Sequence, residues 1–234
     1  MSLATLRTPS STRSDYSDRH EAGKALGQML AGLAIPNPVV LALPRGGVVT
    51  GYEVARTLAV PLGAVFVRKI GHPLAPQTGI AAIAEDDHTV YGEGMQQFIG
   101  RRWLRDEEVE ARHAIELQKR RYFHSKPAHV NLTGRNVIVV DDGVATGLSM
   151  KAAVLYVRRQ RPATILVAAP IMSRESTSEL EHIVDGVISL CDPHDFRGSV
   201  GAHYARFEQL TDREVVRLLA GASVADVHHS EEQT

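Results

Sequence analysis

The 234-residue sequence predicts an α/β protein: an open, mainly parallel sheet with helices on both faces, with a mobile hairpin loop. Three observations predict it. Short, almost wholly apolar runs at residues 39–43, 136–140 and 164–169 alternate with segments of helical spacing, the pattern of strands buried on both faces. The β-α-β rhythm occurs twice, before and after a long charged stretch. The chain is also long enough, at 44% hydrophobic residues, to bury one substantial core.

In chain order, Ala22, Ala25, Leu26, Met29, Leu30 and Leu33 recur at helical spacing until Pro36 and Pro38 stop the pattern. Residues 39–43 form a strand, Pro44-Arg45-Gly46-Gly47 breaks it, residues 48–58 form a helix and residues 62–67 give a further apolar run. Between Gly71 and Gly94, two short apolar pieces, 80–84 and 89–91, suggest a hairpin within a mobile loop. Residues 95–126 lack proline and predict a long helical excursion. Its eight basic and five acidic residues from Arg101 to Lys126 interleave, as on a solvated face, so no nucleic-acid partner is expected. Trp103 on this otherwise charged helix marks a candidate homodimer contact. After Pro127 come a strand at 136–140, a helix at 146–159, a strand at 164–169, a helix at 173–183 and an extended piece at 187–190. Residues 1–14 and 225–234 carry little apolar surface and are expected to be disordered, leaving 15–224 as the domain.

A net charge of -1 supplies no field for gripping nucleic acid or an anionic membrane, so a bound phosphate must be held locally. No apolar run approaches the roughly 18 residues of a membrane span. The single cysteine, Cys191, excludes an intrachain disulfide and a thiolate-rich metal site, which fits a reducing, cytoplasmic setting. Cys191, His194 and Asp195 lack convincing ligand spacing for a metal.

In an open parallel sheet ligands bind beyond the carboxyl ends of the strands, and two loops there hold the chemistry. In "VIVVDDGVATGLSM", residues 137–150, Gly143 and Gly147 relax the backbone and the amides from Val144 to Ser149 open a helix, a concavity suited to phosphate. Thr146 and Ser149 add hydroxyls. Asp141 and Asp142 would repel that phosphate and so must face sugar hydroxyls or a hydrated divalent cation. The plainer reading is that the acids end a buried strand and Thr146 caps a helix. The nucleotide-binding reading lacks its G-x-x-x-x-G-K-[ST] loop, and neither G-x-G-x-x-G nor G-x-S-x-G occurs. In the second loop, Arg45 offers a planar charged fork and Gly46-Gly47 lets amides approach an anion. Two anion sites flanking a diol or metal site fit a sugar with phosphate at one end and pyrophosphate at the other.

"VIVVDDGVATGLS" resembles the phosphoribosyl pyrophosphate motif of type I phosphoribosyltransferases, and "LALPRGG", "VFVRKIG" and "GIAAIAEDD" resemble an uncharacterised subgroup of that family over residues 15–215. The resemblance implies that Asp141 and Asp142 meet the ribose hydroxyls, directly or through water and magnesium (Mg2+). It implies that Gly143, Val144, Ala145, Thr146, Gly147, Leu148 and Ser149 hold the 5'-phosphate, that Arg45, Gly46 and Gly47 contact pyrophosphate, and that Lys69 lies near the same group. Two departures stand out: many relatives carry Gly-Thr at Leu148-Ser149 and a bulky apolar residue at Gly143. The reaction it implies is phosphoribosyl transfer from phosphoribosyl pyrophosphate to a nitrogen acceptor, with Asp141, Asp142, Arg45 and Lys69 catalytic and Asp142 the proton acceptor. The acceptor is unidentified; the resemblance implies that a small hood supplies its pocket, either the helix at 95–126 or the C-terminal stretch at 191–207, where Phe196 and Tyr204 are candidates to stack on a flat base. The 71–94 loop is the candidate lid, with Glu85, Asp86 and Asp87 approaching the ligand on closure. A ligand-binding regulator or sensor with little turnover is the alternative.

Overall fold

The computed structural model describes residues 15–86, 88–92, 100–123 and 130–223. The expected tails at 1–14 and 225–234 and Asp87 lie outside them. Five parallel strands form the central sheet: Pro38–Ala42 (β1), Leu62–Ala64 (β2), Asn136–Val140 (β6), Thr164–Ala169 (β7) and Gly186–Ser189 (β8). Their order is β2-β1-β6-β7-β8. Crossover helices cover both faces, which is why the strands are apolar on every residue rather than every second one.

Alternate residues divide between two cores. Val39, Leu41, Val137, Val139 and Val167 pack against Met150, Val154 and Val157 of Leu148–Arg159 (α4) and Leu180 of Arg174–Glu181 (α5). Val40, Ala42, Ile138, Val140 and Leu166 face Leu26 and Leu30 of Arg19–Ala31 (α1), Val48 and Val54 of Gly46–Leu58 (α2) and Val215 and Leu219 of Asp212–Ser223 (α6). Asp18 caps α1 by accepting the Glu21 amide, and Ser173 caps α5 by accepting the Ser176 amide.

The segment expected to hold a hairpin does so, with a third strand beside it. Val67–His72 (β3), Ala75–Ala84 (β4) and Thr89–Tyr91 (β5) form a second, antiparallel sheet of order β3-β4-β5. The apolar run at 62–67 is not one strand, because the chain leaves the first sheet at Ala64 and enters the second at Val67. Period-two packing explains the order: Ala81 and Ile83 join the core beneath Arg101–Tyr122 (α3), while Ala82 and Ala84 lie against Leu148 and Ala152 of α4. The tip of the β3–β4 hairpin is open, with Leu74 90% exposed. The long helix is described over Arg101–Tyr122, and the rest of its expected span, 95–99 and 124–126, lies outside the described residues, with Phe123 as its C-cap and Gly100 as its N-cap. Trp103 is half-buried against the core. No helix among the described residues is long and apolar enough to cross a membrane.

Candidate functional site

The two loops singled out by their residues meet at the carboxyl ends of β1 and β6, which are adjacent strands in register from Pro38↔Asn136 to Ala42↔Val140. The Leu43 amide donates to the Val140 carbonyl at 3.0 Å and locks the loops together at their base. Beyond it the two glycines of one loop rest on the two acids of the other. A Cβ on Gly46 would fall 1.9 Å from Asp142 Oδ2, and one on Gly47 would fall 2.8 Å from Asp141 Oδ1. Close approach, not an unusual φ, therefore requires glycine at both positions. The Pro44-Arg45 peptide bond is cis.

Gly46 and Gly47 open α2, and their amides have no acceptor among the described residues. The same holds for Ala145, Thr146, Gly147, Leu148 and Ser149 at the start of α4. Each group is an anion cradle of the kind that a helix N-terminus supplies. The helix predicted from residue 146 begins at Leu148, because Gly147 takes a left-handed φ of 70° as its N-cap. Val144 is placed differently from its neighbours: its amide donates to the Ile171 carbonyl at 2.8 Å, and its own carbonyl accepts from Ser173. It anchors the cradle rather than lending it a donor.

The two sequence departures have structural partners. The space a side chain would take at Gly143 is filled by Val200, whose Cγ1 lies 2.4 Å from that Cβ position. Leu148 is 5% exposed and packs with Ala82 and Ala84, tying α4 to β4.

Asp141 and Asp142 sit together, the Asp142 amide donating to Asp141 Oδ1 at 2.8 Å. Burial, then the Asp142 charge, pushes the Asp141 carboxyl well above the usual carboxylate range. Asp142 Oδ2 accepts from Arg19 Nε at 2.6 Å, and its carbonyl accepts from the Tyr204 hydroxyl at 2.6 Å. Arg45 donates through Nη1 to the Leu210 carbonyl at 2.9 Å and lies 4.0 Å from Asp212. Exposed Lys69 on β3 reaches the Gly79 and Leu148 neighbourhood, its Cδ 3.9 Å from a Cβ position on Gly79.

The aromatic candidates lie on the hood side. Tyr204 is 6% exposed, with its ring stacked on Phe207 at 5.1 Å and tilted against Tyr16 at 6.1 Å. Phe196 stacks on His203 at 5.7 Å. Glu85 is engaged away from the loops, accepting the Phe66 amide at 3.0 Å and pairing with Lys119 at 3.1 Å, and Asp86 pairs with Arg159. Cys191 keeps company not with His194 and Asp195 but with Asp15 and His203, their ligand atoms all within 4.8 Å. There the Arg197 amide donates to His203 Nε2 at 3.1 Å, so Nδ1 carries the proton and donates to Asp15 Oδ2 at 2.6 Å. Both ring nitrogens are thus committed to bracing the hood, and burial pushes the Cys191 thiol up to about 11.

Arg19, Phe207 and the carbonyls of Glu208 and Leu210 join the site without any signal in sequence: Arg19 lies 123 positions from Asp142. The architecture matches known proteins. A solved chain from Thermus thermophilus, TT1426, shares 37% identity and superposes with a TM-score of 0.73, over 90% of this chain and 99% of that one. Two relatives from Mycobacterium tuberculosis, strains CDC 1551 and H37Rv, both named "Putative phosphoribosyl transferase", are 37% identical over 87% of this chain. The chain spans about half the length of those curated relatives, 46%. The sequence profile of the phosphoribosyl transferase domain matches residues 19–205, and the chain belongs to that family.

Proposed function

We propose that the chain transfers a phosphoribosyl group from phosphoribosyl pyrophosphate to a nitrogen acceptor, such as a nucleobase, releasing pyrophosphate in the cytoplasm. The observation that carries this reading is the one-to-one packing of Gly46 on Asp142 and Gly47 on Asp141 between two sets of unengaged amides. That arrangement offers an anion cradle, two carboxylates and a second anion cradle in one line of contact.

In this reading the amides from Ala145 to Ser149, with the Thr146 and Ser149 hydroxyls, hold the 5'-phosphate. Asp141 orients the ribose hydroxyls. Asp142, whose Oδ2 accepts from Arg19, receives the proton of the acceptor nitrogen on its other oxygen. Gly46, Gly47, Arg45 and Lys69 stabilise the departing pyrophosphate. The transition state is cation-like at the sugar, so positioning and charge stabilisation do the work and no covalent nucleophile is needed. Two adjacent carboxylates are hard oxygen donors that suit magnesium, which when bound would neutralise charge on the leaving group. We place the acceptor in the cavity of about 290 Å3 bounded by Arg19, His20, Val49 and Glu208. Tyr204 then serves the acceptor side by holding the Asp142 carbonyl.

The test is pyrophosphate release from phosphoribosyl pyrophosphate with magnesium across a panel of nucleobases. Acceptor-dependent release is expected, and Asp141→Asn or Arg45→Gln should slow it about a hundredfold or more, as for loss of one charge-stabilising group. Tight binding with no release under any acceptor would favour a sensor; no binding of the donor would overturn both.

A further inference from the structure

Asp142 poses a difficulty for the pyrophosphate side of the site. Its Oδ2 lies 1.9 Å from the Cβ position of Gly46, so a carboxylate stands directly against the loop whose amides are to receive an anion. Left uncompensated at such range, it would weaken binding of a phosphate group more than about tenfold.

Arg19 occupies that contact. It is the first residue of α1, where a cation opposes the helix dipole and gains nothing from it. Its side chain is nonetheless only 12% exposed. Nε lies 2.6 Å from Asp142 Oδ2 and 3.1 Å from the same Gly46 Cβ position. The guanidinium is held from behind, 3.8 Å over the Phe207 ring, with Nη1 donating to the Glu208 carbonyl at 2.8 Å. Neither of the other basic groups of the site pairs with Asp142: Arg45 donates to the Leu210 carbonyl, and Lys69 lies beside Gly79.

Resting on the phosphoribosyl pyrophosphate reading, we propose that Arg19 is the positioning residue that makes this site tolerant of pyrophosphate, by neutralising Asp142 from the hood side at the Gly46 contact. The arginine does not act on the donor's phosphate directly; it removes the repulsion that the Asp142 carboxylate would otherwise impose. Because Phe207 and Glu208 hold it, the hood segment becomes part of the donor site.

The test measures binding of inorganic pyrophosphate with magnesium and, separately, of ribose 5-phosphate by calorimetry, for the wild type, Arg19→Gln, Asp142→Asn and the double variant. Arg19→Gln should weaken pyrophosphate about tenfold or more, as expected for stranding a charge beside an anion, while ribose 5-phosphate changes by less than about threefold. The double variant should recover pyrophosphate binding to within about threefold of wild type, a coupling that a merely structural arginine would not show. Equal loss of both ligands in Arg19→Gln, unchanged pyrophosphate binding, or no recovery in the double variant would overturn the proposal. Should Arg19→Gln fail to fold, the double variant is compared with Asp142→Asn: equal pyrophosphate affinity is expected, and a further loss would overturn it. A wild type that binds neither phosphoribosyl pyrophosphate nor pyrophosphate removes the donor reading itself, whereas a wild type that binds both leaves the fate of Arg19 to the variants.

Discussion

Replacing Gly46 by alanine puts the contact between the two loops under direct test. The new Cβ would lie 1.9 Å from Asp142 Oδ2, 2.6 Å from its Cγ and 3.1 Å from Arg19 Nε. No carbon and oxygen tolerate that approach, so the Asp142 carboxylate must retreat by about 1 Å or more. Retreat breaks a 2.6 Å pair whose two side chains are only 12% and 13% exposed. Losing a charge-assisted hydrogen bond costs about 1.5–3 kcal/mol, which for a domain of this size lowers the melting temperature by about 3–12 °C. Pyrophosphate binding should fall at the same time, because the displaced carboxylate crowds the amide cradle. The assay is thermal unfolding together with pyrophosphate calorimetry, and Gly221→Ala is its control. That position lies in α6, its nearest neighbour 3.8 Å from the added carbon, so alanine there should be neutral or stabilise by up to about 1 kcal/mol. A Gly46→Ala protein that melts and binds like the wild type would refute the close packing of the loops.

Asp141→Asn should raise stability at neutral pH. The carboxyl is pushed up in the folded protein by burial and by Asp142, so the folded state holds its proton where the unfolded chain has lost it. The wild type therefore loses stability as pH rises from the usual carboxylate range through the raised value, and the amide does not. Melting curves at about pH 4 and pH 7.5 should converge at the lower value and diverge at the higher; parallel curves would contradict the burial argument. Tyr204→Phe removes the 2.6 Å donor to the Asp142 carbonyl inside a 6% exposed environment. It should cost about 1.5 kcal/mol, seen in denaturant unfolding, and lower turnover without abolishing donor binding. Equal stability would mean that water satisfies the carbonyl.

The strand–helix alternation was legible because burial on both faces forces runs such as Val137 to Val140 to be apolar throughout. The ligand loops were legible for a related reason: Asp-Asp followed by Ala-Thr-Gly, and Arg-Gly-Gly at a strand end, are local patterns whose chemistry depends on near neighbours. The sequence by itself therefore determined the parallel sheet and the placing of two glycine-bearing loops at the carboxyl ends of its strands, from which the donor chemistry is proposed. Tertiary structure alone decided what closes around them. Of the small sheet only the hairpin at 80–84 and 89–91 could be read; that β3 joins it could not, because the alanines and glycines of β4 have weak pattern until α3 and α4 cover its opposite faces. Arg19 could not be read either, since its partner is 123 positions away and a lone arginine near a helix start has no signature. Only folding brings Val200 into the space left by Gly143 and sets the Glu208 and Leu210 carbonyls on the two arginines. The physical reason is range: hydrophobic periodicity and helix-terminus chemistry act over a few residues, whereas desolvated charge pairs and close backbone approach exist only between segments that the fold has brought together.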